Sequence, residues 1–263
     1  MSPRTKDLWR SAWPPMLFFL GFVLLWEAVV KVFDLKPYFL APPSKILARF
    51  FENLDLVWSA MKVSGTNALV GLIAGTVLGV LMSFVTSRFR IMYDLVNPLA
   101  IAINAIPIVV LVAAFNNMFS ITSEVPRRLM VTLIVYFVVL VNVTKGLTQV
   151  SPIHLELMRS YAASDSTILR KVRVPNAVPF LFTALKIAAP GAVITAFVAE
   201  YFGGSQNGLG ASIIRNMAIS KNDVAWAYVL GACLLGLAFY LISILLENAV
   251  TPGGGAKRAE GGA

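Results

Sequence analysis

Residues 156–175 read ELMRSYAASDSTILRKVRVP, and the charges in that run decide how the rest of the chain is organised. On one side lies LMVTLIVYFVVLVNV (129–143) and on the other AVPFLFTALKIAAPGAVITAFVA (177–199), both almost wholly apolar. Between them sit Glu156, Arg159, Asp165, Arg170, Lys171 and Arg173, closed by Pro175. A charged run of this length cannot lie in hydrocarbon, so the two apolar runs must be separate elements joined outside it.

The composition identifies the hydrocarbon. Of 263 residues, 58% are hydrophobic and 13% charged, with a mean hydropathy of +0.77. A soluble domain has about 45–50% apolar and about 25% charged residues. The excess cannot all be hidden in a core of this size, which predicts an integral membrane protein. The net charge of +9 is spread between apolar runs rather than gathered on one face, so nucleic acid is not the expected partner. The single cysteine, Cys233, allows no disulfide within the chain, and the single histidine, His154, excludes a bis-histidine haem. The N-terminal apolar stretch has no small-residue cleavage site and is interrupted by Trp26, Glu27 and Lys31, so it reads as a retained span.

A membrane-crossing helix takes about 20 apolar residues. Six windows meet this, at 14–33, 63–86, 92–114, 128–147, 176–201 and 224–249. An even number places both termini on one side. With the termini cytoplasmic, twelve Lys and Arg fall inside and nine outside, a shallow bias in the expected direction. The chain then divides into an N-terminal segment with the first span and an external amphipathic helix (1–60), a five-span core (61–250) and a Gly-rich, disordered tail (251–263).

Several smaller features carry expectations of their own. Glu27 and Lys31 stand four apart in the first span and neutralise each other on one helix face. In LAPPSKIL and the residues after it, Ser44 is positioned to cap a short interfacial helix bearing Ile46, Leu47, Phe50, Phe51 and Leu54. Gly71, Gly75 and Gly79 form a tandem small-residue ridge for close helix packing, against this chain or a second copy. Among the polar groups in apolar spans, Asn104, Asn116, Asn117, Asn142 and Glu200 either line a pathway or join helices by hydrogen bonds.

Within the charged excursion, Ser151-Pro152 marks a helix start. Ile153, Leu157 and Tyr161 fall on one stripe, and Ile168, Leu169 and Val172 on a second. The pattern predicts two short helices with a tight bend, either docking onto another protein or resting on lipid headgroups. The spacing also resembles the EAA signature of permease subunits of ATP-binding-cassette importers, E-A-A-x-x-x-G, nine residues, then I-x-L-P. Glu156 takes the glutamate place, Ala162 the glycine, Val172 the isoleucine, Val174 the leucine and Pro175 the proline. Leu157 and Met158 replace the two alanines. Because alanine resists the left-handed backbone that glycine permits, the bend is expected at Ser164. LAPPSKIL (40–47), AINAIPIVVLVAAFNNMF (102–119) and FVAEYFGGSQNGLG (197–210) resemble the nitrate/sulfonate/taurine-type branch of that family.

The resemblance implies an all-α membrane protein of six transmembrane helices with the type I importer permease architecture. It implies a multi-pass protein of the bacterial inner membrane with cytoplasmic termini and a cytoplasmic coupling loop. Glu156, Arg159, Tyr161, Ala162, Ser164, Ile168, Val172 and Pro175 would form that loop's contact with an ATPase subunit, Glu156 standing opposite a basic set (Arg159, Arg170, Lys171 and Arg173) that either orients it or is shared with the partner. Asn104, Asn142 and Glu200 are candidates for the translocation path. The implied partners are two ATPase subunits, a second permease copy and an external solute-binding protein, with ATP and Mg held by the ATPases and no cofactor bound by this chain. No G-x-x-x-x-G-K-[ST] occurs, so the chain has no phosphate-cradling loop of its own. The implied solute is a nitrate-, sulfonate- or taurine-like anion or a vitamin precursor such as a pyrimidine or riboflavin. An ion-coupled secondary transporter is the competing reading, but it needs ionisable groups at midplane that the spans scarcely provide.

Overall fold

The computed structural model describes residues 3–36, 39–120 and 122–251, with side chains described from Trp13 onward except at positions 90, 97, 101 and 104. The tail expected to be disordered lies, beyond Thr251, outside the described residues. Among those residues the secondary structure is entirely helical. In chain order the helices are α1 (Pro3–Val32), α2 (Pro43–Glu52), α3 (Leu54–Arg88), α4 (Arg90–Asn104), α5 (Ile108–Met118), α6 (Val125–Thr148), α7 (Pro152–Ser160) and α8 (Asp165–Ile168). A π-helical turn (Leu169–Arg173) then leads into α9 (Val174–Phe202), succeeded by α10 (Leu209–Ala218) and α11 (Asn222–Val250). Five stretches are long and apolar enough to cross a membrane: Trp13–Val32, Leu54–Arg88, Val125–Thr148, Asp165–Phe202 and Asn222–Val250.

The window at 92–114, expected as one helix, is two: α4 and α5, broken at 105–107. Pro107 has no N–H for a bond across the break, and it disfavours helical backbone at Ile106. Neither piece alone reaches the roughly 20 residues a crossing takes.

The chain forms two compact units, one of Met1–Trp58 with Ser212–Gly231, the other of Ser59–Ala211 with Ala232–Ala263. In the first, Lys31 Nζ lies 2.9 Å from Glu27 Oε1 as the four-residue spacing predicted. Ser44 departs from expectation. The cap position of α2 is Pro42, and the Ser44 hydroxyl and amide instead donate to Glu27 at 2.7 and 3.0 Å. A half-buried carboxylate is a stronger acceptor than a water molecule or a neutral oxygen, and it ties α2 to α1. On α2, Ile46 and Phe50 are buried, while Leu47 and Phe51 are exposed, so its apolar surface is wider than the face it packs. Arg49 Nε reaches Asp223 Oδ2 at 2.8 Å, and Trp26 meets Trp226 edge-on with ring centroids 5.8 Å apart.

The second unit is built on α6 and α9, with α3 packed beside them. The α6 face is Val131, Val135, Val139, Val143 and Leu147, spaced four apart, and the α9 face is Ala177, Ala184, Ala188, Ala192 and Ala196. Large residues on one helix meet small ones on the other, which lets the axes approach in a solvent that supplies no hydrophobic drive. The Gly71/Gly75/Gly79 ridge packs on α6 of the same chain: a Cβ at any of the three would lie under 3.0 Å from its nearest α6 atom.

Candidate functional site

The charged excursion leaves from a stitched junction between α6 and α9. Asn176 Nδ2 donates to the Gly146 carbonyl at 2.7 Å and to the Gln149 carbonyl at 3.2 Å, satisfying acceptors that the end of α6 leaves open. Gly146 is required there, because a Cβ would come within 2.7 Å of Ala177 Cα. Nothing in the sequence singles out Asn176. A lone Asn one residue after a proline carries no pattern.

From that junction α7 begins at Pro152 with Ser151 in the cap position, as expected, although the Ser151 side chain makes no capping bond. At the far end, Ala162 N–H donates to the Arg159 carbonyl at 2.9 Å and Ala163 N–H to the Met158 carbonyl at 3.0 Å. This pair of bonds is the Schellman closure, whose hinge residue is left-handed and usually glycine. Here it is Ala162, with φ +54°. The expected shift of the bend to Ser164 is therefore wrong. The two closure bonds hold alanine in the conformation that glycine takes in the signature. Ser164 has a different task, capping α8: its Oγ accepts from the Thr167 amide at 3.4 Å.

The second expected short helix is not separate. Asp165–Phe202 is one helical run of 38 residues. Pro175 sits inside it, exposed at the start of α9. Without an N–H, Pro175 cannot bond the Lys171 carbonyl, and just upstream the helix widens into the π turn, where Val174 N–H reaches back to Leu169.

The two apolar stripes therefore differ. Ile153, Leu157 and Tyr161 are 73%, 51% and 76% exposed. Ile168 is buried, Val172 is half-buried, and Leu169 packs against the α6–α9 core. Only the first stripe is free to meet anything else. Glu156 and Arg159 are exposed beside it, along with Ala162 and Ser164. Among the described residues Glu156 makes no ion pair, so of the two roles expected for Arg159, Arg170, Lys171 and Arg173, orienting Glu156 within the chain does not form.

The three candidate pathway residues are not brought together. Asn104 ends α4, and its side chain lies outside those described. Asn142 Nδ2 bonds its own helix at the Val138 carbonyl, 2.8 Å away. Glu200 has no exposed surface. Its Oε2 accepts from Ser64 Oγ at 2.7 Å and from Gly210 N–H at 3.2 Å, and Ser64 Oγ in turn accepts from Leu209 N–H at 2.9 Å. The side chain leaves no room for a Cβ at Gly208, where φ is +101°. Glu200 thus fixes the turn between α9 and α10 onto α3. Ser64, the partner that makes this possible, is invisible in the sequence, since an isolated serine in an apolar run reads as filler. Nearby, Asn67 Nδ2 donates to Glu124 at 2.7 Å and its Oδ1 accepts from Arg128 Nε at 3.0 Å. Lys186 is likewise paired, 2.8 Å from Glu247 Oε2 on α11. Asn116 bonds the Gly203 carbonyl at 2.9 Å. Of the polar groups named here, Glu200, Asn67, Lys186 and Asn116 join separate segments, while Asn142 bonds within its own helix.

Three comparisons bear on this arrangement. Residues 75–253 match the model of the family described as binding-protein-dependent transport system inner membrane component. The chain is 30% identical over 245 residues to the formylaminopyrimidine transport permease protein ThiX of Halalkalibacterium halodurans, covering 92% of this chain and 96% of the relative. It is 28% identical over 259 residues to the riboflavin transport system permease protein RibX of Chloroflexus aurantiacus, covering 94% of each. Among solved structures, an amino acid ABC transporter crystallised with histidines superposes with a TM-score of 0.63 at 14% identity, over 76% of this chain and 96% of that one.

Proposed function

This chain belongs to the family of binding-protein-dependent transport system inner membrane components, and we propose that α7 is the element through which it is driven by a separate ATPase subunit. The fold is that of a type I importer permease, and the function is passage of a small solute across the inner membrane. The observation that carries the coupling reading is the exposed stripe Ile153, Leu157 and Tyr161 on a helix held outside the spans. Ile153 and Leu157 on one face of a nine-residue helix, continued by Tyr161 at its C-cap, favour a protein groove over water.

In this reading two copies of the chain form the pathway, two ATPases bind the α7 surfaces, and an external protein delivers the solute. The α7 side and both termini face the cytoplasm, in keeping with the Lys/Arg bias. Nucleotide-driven closure of the ATPases moves the α7 elements together, and the spans alternate their opening as rigid bodies. Glu156, exposed and unpaired, is available to a basic group of the ATPase. A nitrogen heterocycle of the vitamin or vitamin-precursor kind is the solute class that the names of the two relatives favour over nitrate or a sulfonate.

The test is a reconstituted complex of chain, ATPase and binding protein carrying Leu157→Asp. A buried, unpaired carboxylate at such a contact costs about 2–5 kcal/mol. Association with the ATPase should fall accordingly, and solute-stimulated hydrolysis and uptake should fall with it. Wild-type coupling in this variant, or ATP hydrolysis by the homogeneous chain alone, overturns the assignment.

A further inference from the structure

Between the last turn of α3 and the α7-to-π segment lies a cavity of about 710 Å³. Three guanidinium groups from three elements line it: Arg88 closing α3, Arg159 on α7 and Arg173 in the π turn. Asp165 is the one carboxylate among the lining residues. Among the described residues, none of the three guanidinium groups makes a hydrogen bond or an ion pair. The remaining wall is largely apolar, with Phe84, Val85, Phe89 and Leu155. Arg88 and Arg159 are exposed and Arg173 is half-buried, so two positive charges in excess stand open beside an apolar wall, a setting that favours an anionic occupant with an apolar part.

We propose that this cavity binds an anionic phospholipid, its phosphate held by Arg88, Arg159 and Arg173 and its upper acyl chain laid on Val85 and Phe89. The level is right for a headgroup, because Arg88 is the last residue of a membrane-crossing helix. Val85 and Phe89, one turn before it and one residue after it, are 39% and 58% exposed, so the apolar wall is continuous with the surface that α3 offers to lipid. An acidic protein segment satisfies the arginines and leaves that wall bare, and free phosphate does the same. A lipid covers both. The site rests on the membrane placement of α3, and because Leu155 and Arg159 belong to α7, the test below reads lipid binding and ATPase association separately.

The experiment takes the full chain, delipidated in a neutral detergent, and measures lipid adducts by native mass spectrometry. The probes are phosphatidylglycerol, phosphatidylcholine, glycerol 3-phosphate and inorganic phosphate. Saturable binding of phosphatidylglycerol is expected, with phosphatidylcholine and both soluble phosphates far weaker. Arg88→Gln with Arg173→Gln should weaken phosphatidylglycerol binding on the order of tenfold. Phe89→Ser, which leaves every arginine in place, should weaken it as well, and it supplies the comparison if the double variant does not fold. Binding unchanged in these variants, or phosphatidylcholine binding as tightly, overturns the proposal. Soluble phosphates binding as tightly as the lipid would make this a free-phosphate site. Arginine variants that keep the lipid and lose the ATPase would assign the cavity to the protein partner. Both of these last results overturn the lipid assignment.

Discussion

Replacing Gly75 with alanine adds one methyl group to the contact between α3 and α6, and the geometry fixes where it goes. The new Cβ falls 2.6 Å from the Thr132 carbonyl oxygen, 2.7 Å from Val135 Cβ and 2.9 Å from Val135 Cγ1. The nearest atom is backbone, so no side-chain rotation relieves the overlap. To restore ordinary contact the helices must part locally by roughly 0.8 Å, a gap that forfeits a quarter to a half of the dispersion well for each flanking atom pair. The flanking contacts are those of Gly71 on Val131 and Gly79 on Val139, and they loosen together. The expected loss is about 1–3 kcal/mol, which for a chain of this size lowers Tm by roughly 3–10 °C. Gly21→Ala and Gly236→Ala are the controls, since nothing lies within 4 Å of a Cβ at either place. There the better helix former should be neutral or stabilise by up to about 1 kcal/mol. Thermal unfolding of the purified chain in detergent, monitored by tryptophan fluorescence, reads all three. If Gly75→Ala melts with the controls, the ridge is not a packing contact of this chain and the α3–α6 interface has been misjudged.

Ser64→Ala removes one bond to the Glu200 carboxylate and one acceptor for the Leu209 amide, so it should destabilise by about 2–4 kcal/mol, measured in the same melt; a change under about 0.5 kcal/mol would refute the brace. Ala162→Gly relieves a left-handed alanine at about 1 kcal/mol and returns about 0.5–1 kcal/mol as chain entropy, so it should be near neutral, whereas Ala162→Val should loosen the end of α7. Hydrogen exchange of the amides at positions 162 and 163 distinguishes the two, and equal protection in both variants would count against the closure. A cysteine at Ser164 in a Cys233→Ser background should react with impermeant reagent from the cytoplasmic side only; labelling from outside on intact cells reverses the proposed topology.

The features legible in the sequence are those that are repeated or locally bonded. The apolar windows of spans one, two, four, five and six need only their own residues, and all five are helices. Glu27 with Lys31 and the glycine ridge are set by spacing on one helix. Relations between distant segments were not legible. The choice of Ser44 for Glu27 over its own helix end, and of Ser64 for Glu200, depends on which helices meet. The alanine face of α9 was visible as Ala184, Ala188, Ala192 and Ala196 four residues apart. Alanine is so common in helices that only the facing valines of α6 give it meaning. Pro107 signals the break at 105–107, but the apolar window runs on through it and hides the interruption. At Ala162 the local signal misleads in the opposite direction. Alanine disfavours the left-handed region by about 1 kcal/mol, and two closure bonds that only the folded turn supplies outweigh it.

Those closure bonds bear on how movement at α7 reaches the membrane. In the turn at 161–164 the amides of Ala162 and Ala163 are bonded back to α7, and the Ser164 hydroxyl accepts from the Thr167 amide of α8. These bonds fix the two sides of the turn separately, one to α7 and the other to α8, and the short link between them carries a displacement of α7 to the helix beyond. That helix is the run of 38 residues, roughly 55 Å of continuous backbone, ending at Glu200 and its grip on Ser64. Along its length the run is joined to α6 by Asn176 and by the alanine–valine face, so the pair shifts together. The places where this rod can bend are set by its prolines. Pro175, Pro179 and Pro190 each deprive an upstream carbonyl of its donor. The first coincides with the π turn, and the last lies among Ala188, Ala189 and Ala192, whose buried small side chains leave room for a change of angle. In the proposed coupling, a push on the exposed stripe reaches the membrane as a tilt of the α6–α9 pair, with bending favoured at Pro175 and Pro190.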